Sequence, residues 1–250
     1  MIEYNVRNFK IIIEYDGRRY CGWQRQNHDP TIQETIEQAL RKMTGQHISV
    51  VGSGRTDAGV HAYGQVANFK CETKLKSKDF RGGLNSLTPD DIVVLKCKEV
   101  EDGFHARYDV KSKVYIYKLL NRIHPAAIDR QYAWYIRTEL NPETMRTAIS
   151  HLIGKHDFKA FEGAGSPRSH TTRSVMSANL YRQDVNYLIF EIEADGFLRF
   201  MVRNIVGTLV EVGKGKITDH EFKRILDSKD RSQAGVTAPA HGLFLKTVNY

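Results

Sequence analysis

Apolar residues fall along this chain in two patterns, short β-branched blocks and stripes of helical period. FKIIIEYDG (9–17) is a block closed by Asp-Gly, which predicts a strand running into a turn. TIQETIEQALRKMTG (31–45) predicts a helix. Ile32, Ile36, Leu40 and Met43 form one stripe, Thr31 and Glu34 fit a capping box, and Gly45 stops it. HISVVG (47–52) and YGQVANFKC (63–71) read as strands. KDFRGGLNSL (78–87) reads as a helix weakened by two internal glycines, and DIVVLKCKEV (91–100) as a strand. The order is β-α-β-β-α-β, the split βαβ or ferredoxin-like order.

The second half repeats that theme less regularly. VYIYKLL (114–120) is a strand and NPETMRTAISHLIG (141–154) a helix with Pro142 in its first turn. SVMSANLYRQ (174–183) and NYLIFEIEA (186–194) form a hairpin around Asp184 and Val185. LRFMVRNIVGTLVEVG (198–213) and TDHEFKRILDS (218–228) are helices, and GLFLKTVNY (242–250) is a closing strand. The expected fold is α+β, with two ferredoxin-like halves, 1–105 and 106–250, their sheets side by side around a central cleft. No sequence repeat relates the halves; the duplication rests on element order alone.

Charge adds a partner to this picture. The net charge of +8 and pI near 9.3 suit a polyanion such as nucleic acid, although a basic surface also serves solubility. MIEYNVRNFKIII shows no signal-peptide pattern, and no segment approaches the roughly 20 apolar residues of a membrane span. Cys21, Cys71 and Cys97 are scattered and odd in number, which suits reduced thiols in a cytoplasmic protein.

The candidate chemistry gathers in GSGRTDAGVHAYGQ (52–65), where four glycines surround Arg55 and Asp57. Asp57 has two readings: a turn-former bonding its own backbone, or a carboxylate nucleophile or base held up by the loop. The helix 198–213 is apolar almost all round, yet carries Arg199 and Arg203 at i and i+4. A buried guanidinium needs an anionic partner, and Asp57 and Asp195 are both candidates. Asp195–Gly196 also reads as a cap for that helix. Tyr115 shares a strand face with Tyr117 and Leu119, as core packing or as a catalytic or base-stacking ring. In YDGRRYCGWQRQ (15–26), Arg18, Arg19 and Arg25 interleave with Tyr20 and Trp23. That arrangement suits phosphates and unpaired bases, or a solvated loop with Trp23 folded into the core. EGAGSPRSHTTR (162–173) is a surface loop, or a basic one closing on phosphates through Arg168, His170 and Arg173. The sequence contains no GxxxxGK[ST], HExxH, GxSxG or metal-spaced Cys/His cluster, so the expected chemistry uses Asp, Arg and Tyr without metal or cofactor.

GSGRTDAGVHAYGQVANF closely resembles the signature loop of the TruA family of tRNA pseudouridine synthases. YDGRRYCGWQRQ, FHARYDVKSKVYIYKL (104–119), GKHDF (154–158), ADGFLRFMVRNIVGTLVEVGKG (194–215) and AGVTAPAHGLFL (234–245) resemble that family's other segments in the same order, over essentially the whole chain. The resemblance implies a cofactor-free isomerisation of uridine at positions 38, 39 and 40, in the anticodon stem-loop of tRNA. The N1–C1′ bond is broken and the uracil rejoined through C5. By the same resemblance Asp57 is the nucleophile, attacking C1′ or assisting glycosidic cleavage. Tyr115 stacks on the uracil, Arg203 pairs with Asp57, and Arg55 and Thr56 help bind substrate. Arg18, Arg19, Arg25, Arg107, Lys111 and Arg173 are candidate RNA-backbone contacts. The resemblance also implies a homodimer, each tRNA reaching across both subunits. One departure is Leu87–Thr88–Pro89–Asp90–Asp91–Ile92, where the family has Leu-Pro directly before Asp-Ile; 163–172 finds no match and receives no role. A non-catalytic RNA-binding protein, or a metal-free RNA hydrolase or glycosidase, would share the charge and aromatics.

Overall fold

The computed structural model describes residues 6–165 and 170–250. The chain divides into two compact units, Met1–Lys111 with Leu245–Tyr250, and Ser112–Phe244.

In the first unit the strands are β1 (Val6–Tyr15), β2 (Val51–Gly52), β3 (His61–Glu72) and β4 (Ile92–Val100), with helices α1 (Ile32–Thr44) and α2 (Ser77–Leu87) between them. β1 lies between β3 and β4, antiparallel to both: Ile11 stands opposite Ala67 on one side and Cys97 on the other. β2 pairs antiparallel with β3, and β10 (Leu243–Asn249) follows β3 in the strand order. Phe9, Ile11, Ile13 and Tyr15 alternate onto one buried face of β1, as a period of two requires. Phe80 of α2 meets Phe9 and Phe69 there, with ring centroids 4.7 and 5.1 Å away. The predicted stripe of α1 is present, with Ile32, Ile36 and Leu40 fully buried. Thr31 Oγ1 accepts the Glu34 N–H at its start (3.4 Å) and Gly45 ends it. The glycines in α2 have a packing reason at one position, since a Cβ on Gly83 would lie 2.3 Å from Met43 Cε.

The strand expected over 47–52 is shorter, only Val51–Gly52. Val50 instead gives its N–H to Glu37 Oε1 (3.0 Å) and its carbonyl to Gln33 Nε2 (3.0 Å), so side chains of α1 satisfy the backbone there.

In the second unit β5 (Ser112–Asn121), β9 (Tyr187–Ala194), β8 (Thr172–Arg182) and β7 (Gly154–Asp157) follow one another in an antiparallel sheet. β6 (Trp134–Ile136) runs parallel to the end of β5. The helices are α3 (Pro142–Ser150), α4 (Met201–Gly213) and α5 (Asp219–Ser228). The expected β8–β9 hairpin is closed by Asp184, whose Oδ1 accepts the N–H groups of Asn186 and Tyr187 (2.7 and 3.0 Å). β6 and β7 are too short to show a period and escaped the sequence pattern. The helix expected from 198 begins at Met201, because Phe200 takes a left-handed backbone (φ 61°) and ends the preceding turn. Arg199 therefore lies outside the helix and forms no i, i+4 pair with Arg203. From Met201 onward α4 is buried almost all round, as its composition predicts. Among the described residues no helix is long and apolar enough to cross a membrane.

Candidate active site

The glycine-rich loop before β3 is anchored from below by buried polar groups. The Ser53 N–H donates to the Val66 carbonyl (2.7 Å), and its hydroxyl donates to Gln65 Oε1 (2.6 Å). The Gln65 amide returns a hydrogen bond to the Gly54 carbonyl (3.0 Å). Thr56 turns inward, and its Oγ1 lies 2.8 Å from the Tyr15 hydroxyl. Burial pushes the Tyr15 hydroxyl up to about 12, so it stays protonated at neutral pH. The Thr56 carbonyl accepts the Trp23 N–H (3.2 Å), and the Asp57 carbonyl accepts the Val60 N–H (3.1 Å), closing a tight turn. Gly22 makes the close approach possible: its φ is +91°, and a Cβ would lie 2.4 Å from the Thr56 carbonyl oxygen. With Thr56 held inside, Arg55 is exposed and Asp57 half-exposed. The Arg55 guanidinium donates to Gln24 Oε1 (3.3 Å). Two segments distant in sequence, YDGRRYCGWQRQ (15–26) and GSGRTDAGVHA (52–62), thus build one support.

The second unit carries Tyr115 and Arg203. Tyr115 stands opposite Ile192 of β9, nearly buried, with the Phe197 ring edge-on at 5.0 Å. Tyr117, on the same strand face, is a core residue. Its hydroxyl donates to the Pro239 carbonyl (2.8 Å), and burial raises its pKa well above the ordinary tyrosine value. Arg203 is half-buried in the first turn of α4. Its Nε donates to the Ala238 carbonyl (2.7 Å), and its Cζ lies 4.9 Å from the centre of the Phe200 ring. Its charge reaches Tyr117 and His241; burial above all, opposed by the hydrogen bond to the Ala133 carbonyl and aided more weakly by that charge, holds the His241 pKa below the ordinary histidine value. Asp195 does not cap α4. Its Oδ1 accepts the Ser174 N–H (3.0 Å) while its own N–H donates to the Ser174 carbonyl (3.1 Å), fixing the end of β9 against β8. Arg199 donates to the Ala164 carbonyl (2.8 Å).

The basic candidates differ in setting. Arg18 pairs with Asp16 (2.6 Å), Arg19 with Asp91 (2.8 Å) and Arg25 with Glu37 (2.9 Å). Each carries a local counter-ion, yet a guanidinium has five N–H donors and can serve a phosphate as well. Trp23 is 2% exposed and Tyr20 7%, so neither offers a face to a base. Tyr20 instead donates to Asp91 Oδ1 (2.6 Å), which gives the unusual Leu87–Ile92 stretch an anchoring role. Arg107 and Lys111 are exposed. Beside Arg107 sequence reasoning missed Tyr108, 73% exposed and stacked on His105 at 4.2 Å. The signal was its place after arginine in FHARYDV. Arg173 is half-buried and donates to the Thr172 carbonyl (2.5 Å), while Arg168 lies outside the described residues. Among the described residues no three His, Cys, Asp or Glu side chains gather as a metal site would require.

An α+β scaffold that raises an aspartate on a braced glycine-rich loop, among arginines, belongs to a class that known sequences define. The family described as tRNA pseudouridine synthase matches residues 11–109 and 148–250, and the chain belongs to it. It is similar to the tRNA pseudouridine synthase A of Thermoanaerobacter sp. (strain X514), 49% identical over 245 residues, covering 98% of this chain and 100% of that protein. The proteins of the same name from Clostridium acetobutylicum and Acetivibrio thermocellus are each 46% identical, with the same coverage of both chains. The chain is thus an isomerase acting on tRNA.

Proposed function

We propose that this protein converts uridine to pseudouridine at positions 38, 39 and 40 of the tRNA anticodon stem-loop, with Asp57 as nucleophile and no cofactor. The observation that carries the reading is the loop itself: Thr56 is locked inward to Tyr15, which leaves Asp57 at the loop surface on a rigid support. In the step proposed, the Asp57 carboxylate attacks C1′, or captures it as the N1–C1′ bond breaks, giving a ribosyl ester. The freed uracil turns, C5 attacks C1′, and the carboxylate leaves. C5 then loses its proton and N1 ends protonated, so the product is an isomer of the substrate. Arg203 keeps the nucleophile ionised, and Tyr115 stacks on the uracil and assists proton transfer. Arg55 contacts the target nucleotide, and Thr56 holds the loop that binds it. Flipping the uridine costs a few kcal/mol, offset by backbone contacts from Arg18, Arg19, Arg25, Arg107, Lys111 and Arg173.

The same reading makes the protein a cytoplasmic homodimer built of two ferredoxin-like halves, 1–105 and 106–250. In the first unit, the β4-β1-β3 order with β2 against β3 supports it. The test uses tRNA transcript tritiated at uracil C5. Wild-type protein releases tritium to water, while Asp57→Asn binds tRNA equally well and releases it at least about 10³-fold more slowly. Release by Asp57→Asn at the wild-type rate removes Asp57 from the mechanism. Free uracil as product, or a cut chain, identifies a glycosidase or hydrolase instead.

A further inference from the structure

α4 carries two fully buried polar side chains, Asn204 and Thr208, among buried residues that are otherwise apolar or glycine. Buried amides and hydroxyls destabilise a core unless each finds a partner, and apolar residues would pack there as well. Each side chain bonds to one segment, 234–238, among its partners. Asn204 Nδ2 donates to the Phe161 carbonyl (2.8 Å), and its Oδ1 accepts from Thr237 Oγ1 (2.6 Å) and Arg231 Nη2 (3.1 Å). Arg231 also donates to Thr237 Oγ1 (3.1 Å) and to the Ala234 carbonyl (3.2 Å). Thr208 Oγ1 donates to the Asn204 carbonyl (2.8 Å) and accepts the Gly235 N–H (2.9 Å). The segment crosses α4 at Gly207, where a Cβ would lie 1.7 Å from the Val236 carbonyl oxygen.

The segment ends on Arg203. The buried Ala238 donates its N–H to the Arg203 carbonyl (3.1 Å), and its own carbonyl accepts from Arg203 Nε (2.7 Å). One residue further, the Pro239 carbonyl is held by Tyr117 (2.8 Å). On its other side the guanidinium rests on the Phe200 ring, which packs so closely on Gly163 that a Cβ there would be 2.3 Å from Phe200 Cδ2.

We infer that residues 234–238 are a strap whose work is to aim the Arg203 guanidinium, with Asn204, Thr237 and Arg231 as positioning residues for the reaction. This rests on the reading of Arg203 as the active-site cation. The strap is held at Ala234, Gly235, Thr237 and Ala238, each of which bonds to α4 or to Arg231. Loosening it at Thr237 leaves the charge of Arg203 in place and spoils its direction, and small misplacements in a reacting geometry cost rate rather than binding.

A double-substitution cycle tests this, read by single-turnover tritium release, the KM for tRNA and thermal unfolding. Thr237→Val keeps the shape and removes the hydroxyl. It lowers kcat about 10- to 100-fold with little change in KM, and Thr237→Ser restores the rate. The second background is Arg203→Lys, which keeps the charge but lacks the Nε donor to Ala238. There Thr237→Val adds less than about a twofold loss. Equal fold-losses in both backgrounds, a wild-type rate for Thr237→Val, or a loss confined to KM would each overturn the inference. Should Thr237→Val fail to fold, the cycle is run with Arg231→Lys, under the same outcomes. Arg203→Ala separates the two claims: normal turnover there defeats the reading of Arg203 itself, whereas a crippled Arg203→Ala with additive losses from Thr237→Val defeats only the strap.

Discussion

Thr56 and Tyr15 share one buried hydrogen bond, and it fixes the loop directly beside Asp57, which stays half-exposed. Asp57 was legible in the sequence because charge and glycine sit together there; its support was not, since Tyr15, Gly22 and Trp23 carry no mark of the partner they will meet. His241 makes a prediction at the same scale. Burial, with the Arg203 charge beside it, lowers its folded pKa, so the folded state binds fewer protons than the unfolded chain just below the ordinary histidine value. The stability tied to neutral His241 is complete above about pH 6.5 and is lost as pH falls through the folded pKa. In urea midpoints measured at pH 7.5 and 5.5, His241→Asn is expected to lose less stability on acidification than wild type. Equal losses would show that His241 contributes nothing to the acid limb.

Element boundaries turned on single residues. Helix α4 starts three residues later than its apolar pattern, because Phe200 adopts a positive φ that the preceding turn imposes. That shift separates Arg199 from Arg203, which a helical period would have paired. The strand expected over 47–52 shrank because Gln33 and Glu37 took the Val50 backbone groups. A propensity pattern cannot foresee either event, since both are decided by contacts distant in sequence. Gly22 is the corresponding point of failure for the loop. Gly22→Ala must place a methyl group against the Thr56 carbonyl on a left-handed backbone, and is expected to cost about 2 kcal/mol or more. It should also lower kcat with the loop displaced. Urea denaturation alongside tritium release checks this, and an unchanged midpoint would mean that the 22–23 segment yields freely.

For the whole molecule, a net charge of +8 makes RNA affinity dependent on salt. Arg107 and Lys111 are exposed. Arg107→Ala is therefore expected to reduce the slope of log K against log[salt] by about 1, raising KM more than it lowers kcat. An unchanged slope across a salt titration of tRNA binding would place that residue outside the interface. By itself the sequence determined the α+β class, the position of most helices and strands, the basic character, and the loop that carries Asp57, because periodicity, turn chemistry and charge are local properties. Only the tertiary structure decided that Trp23 belongs to the core, that Asp195 serves Ser174, that the closing strand's Leu245–Tyr250 joins the first unit, and that 234–238 grips Arg203. Those outcomes depend on which distant groups satisfy one another's hydrogen bonds and fill one another's space, and no local pattern encodes that.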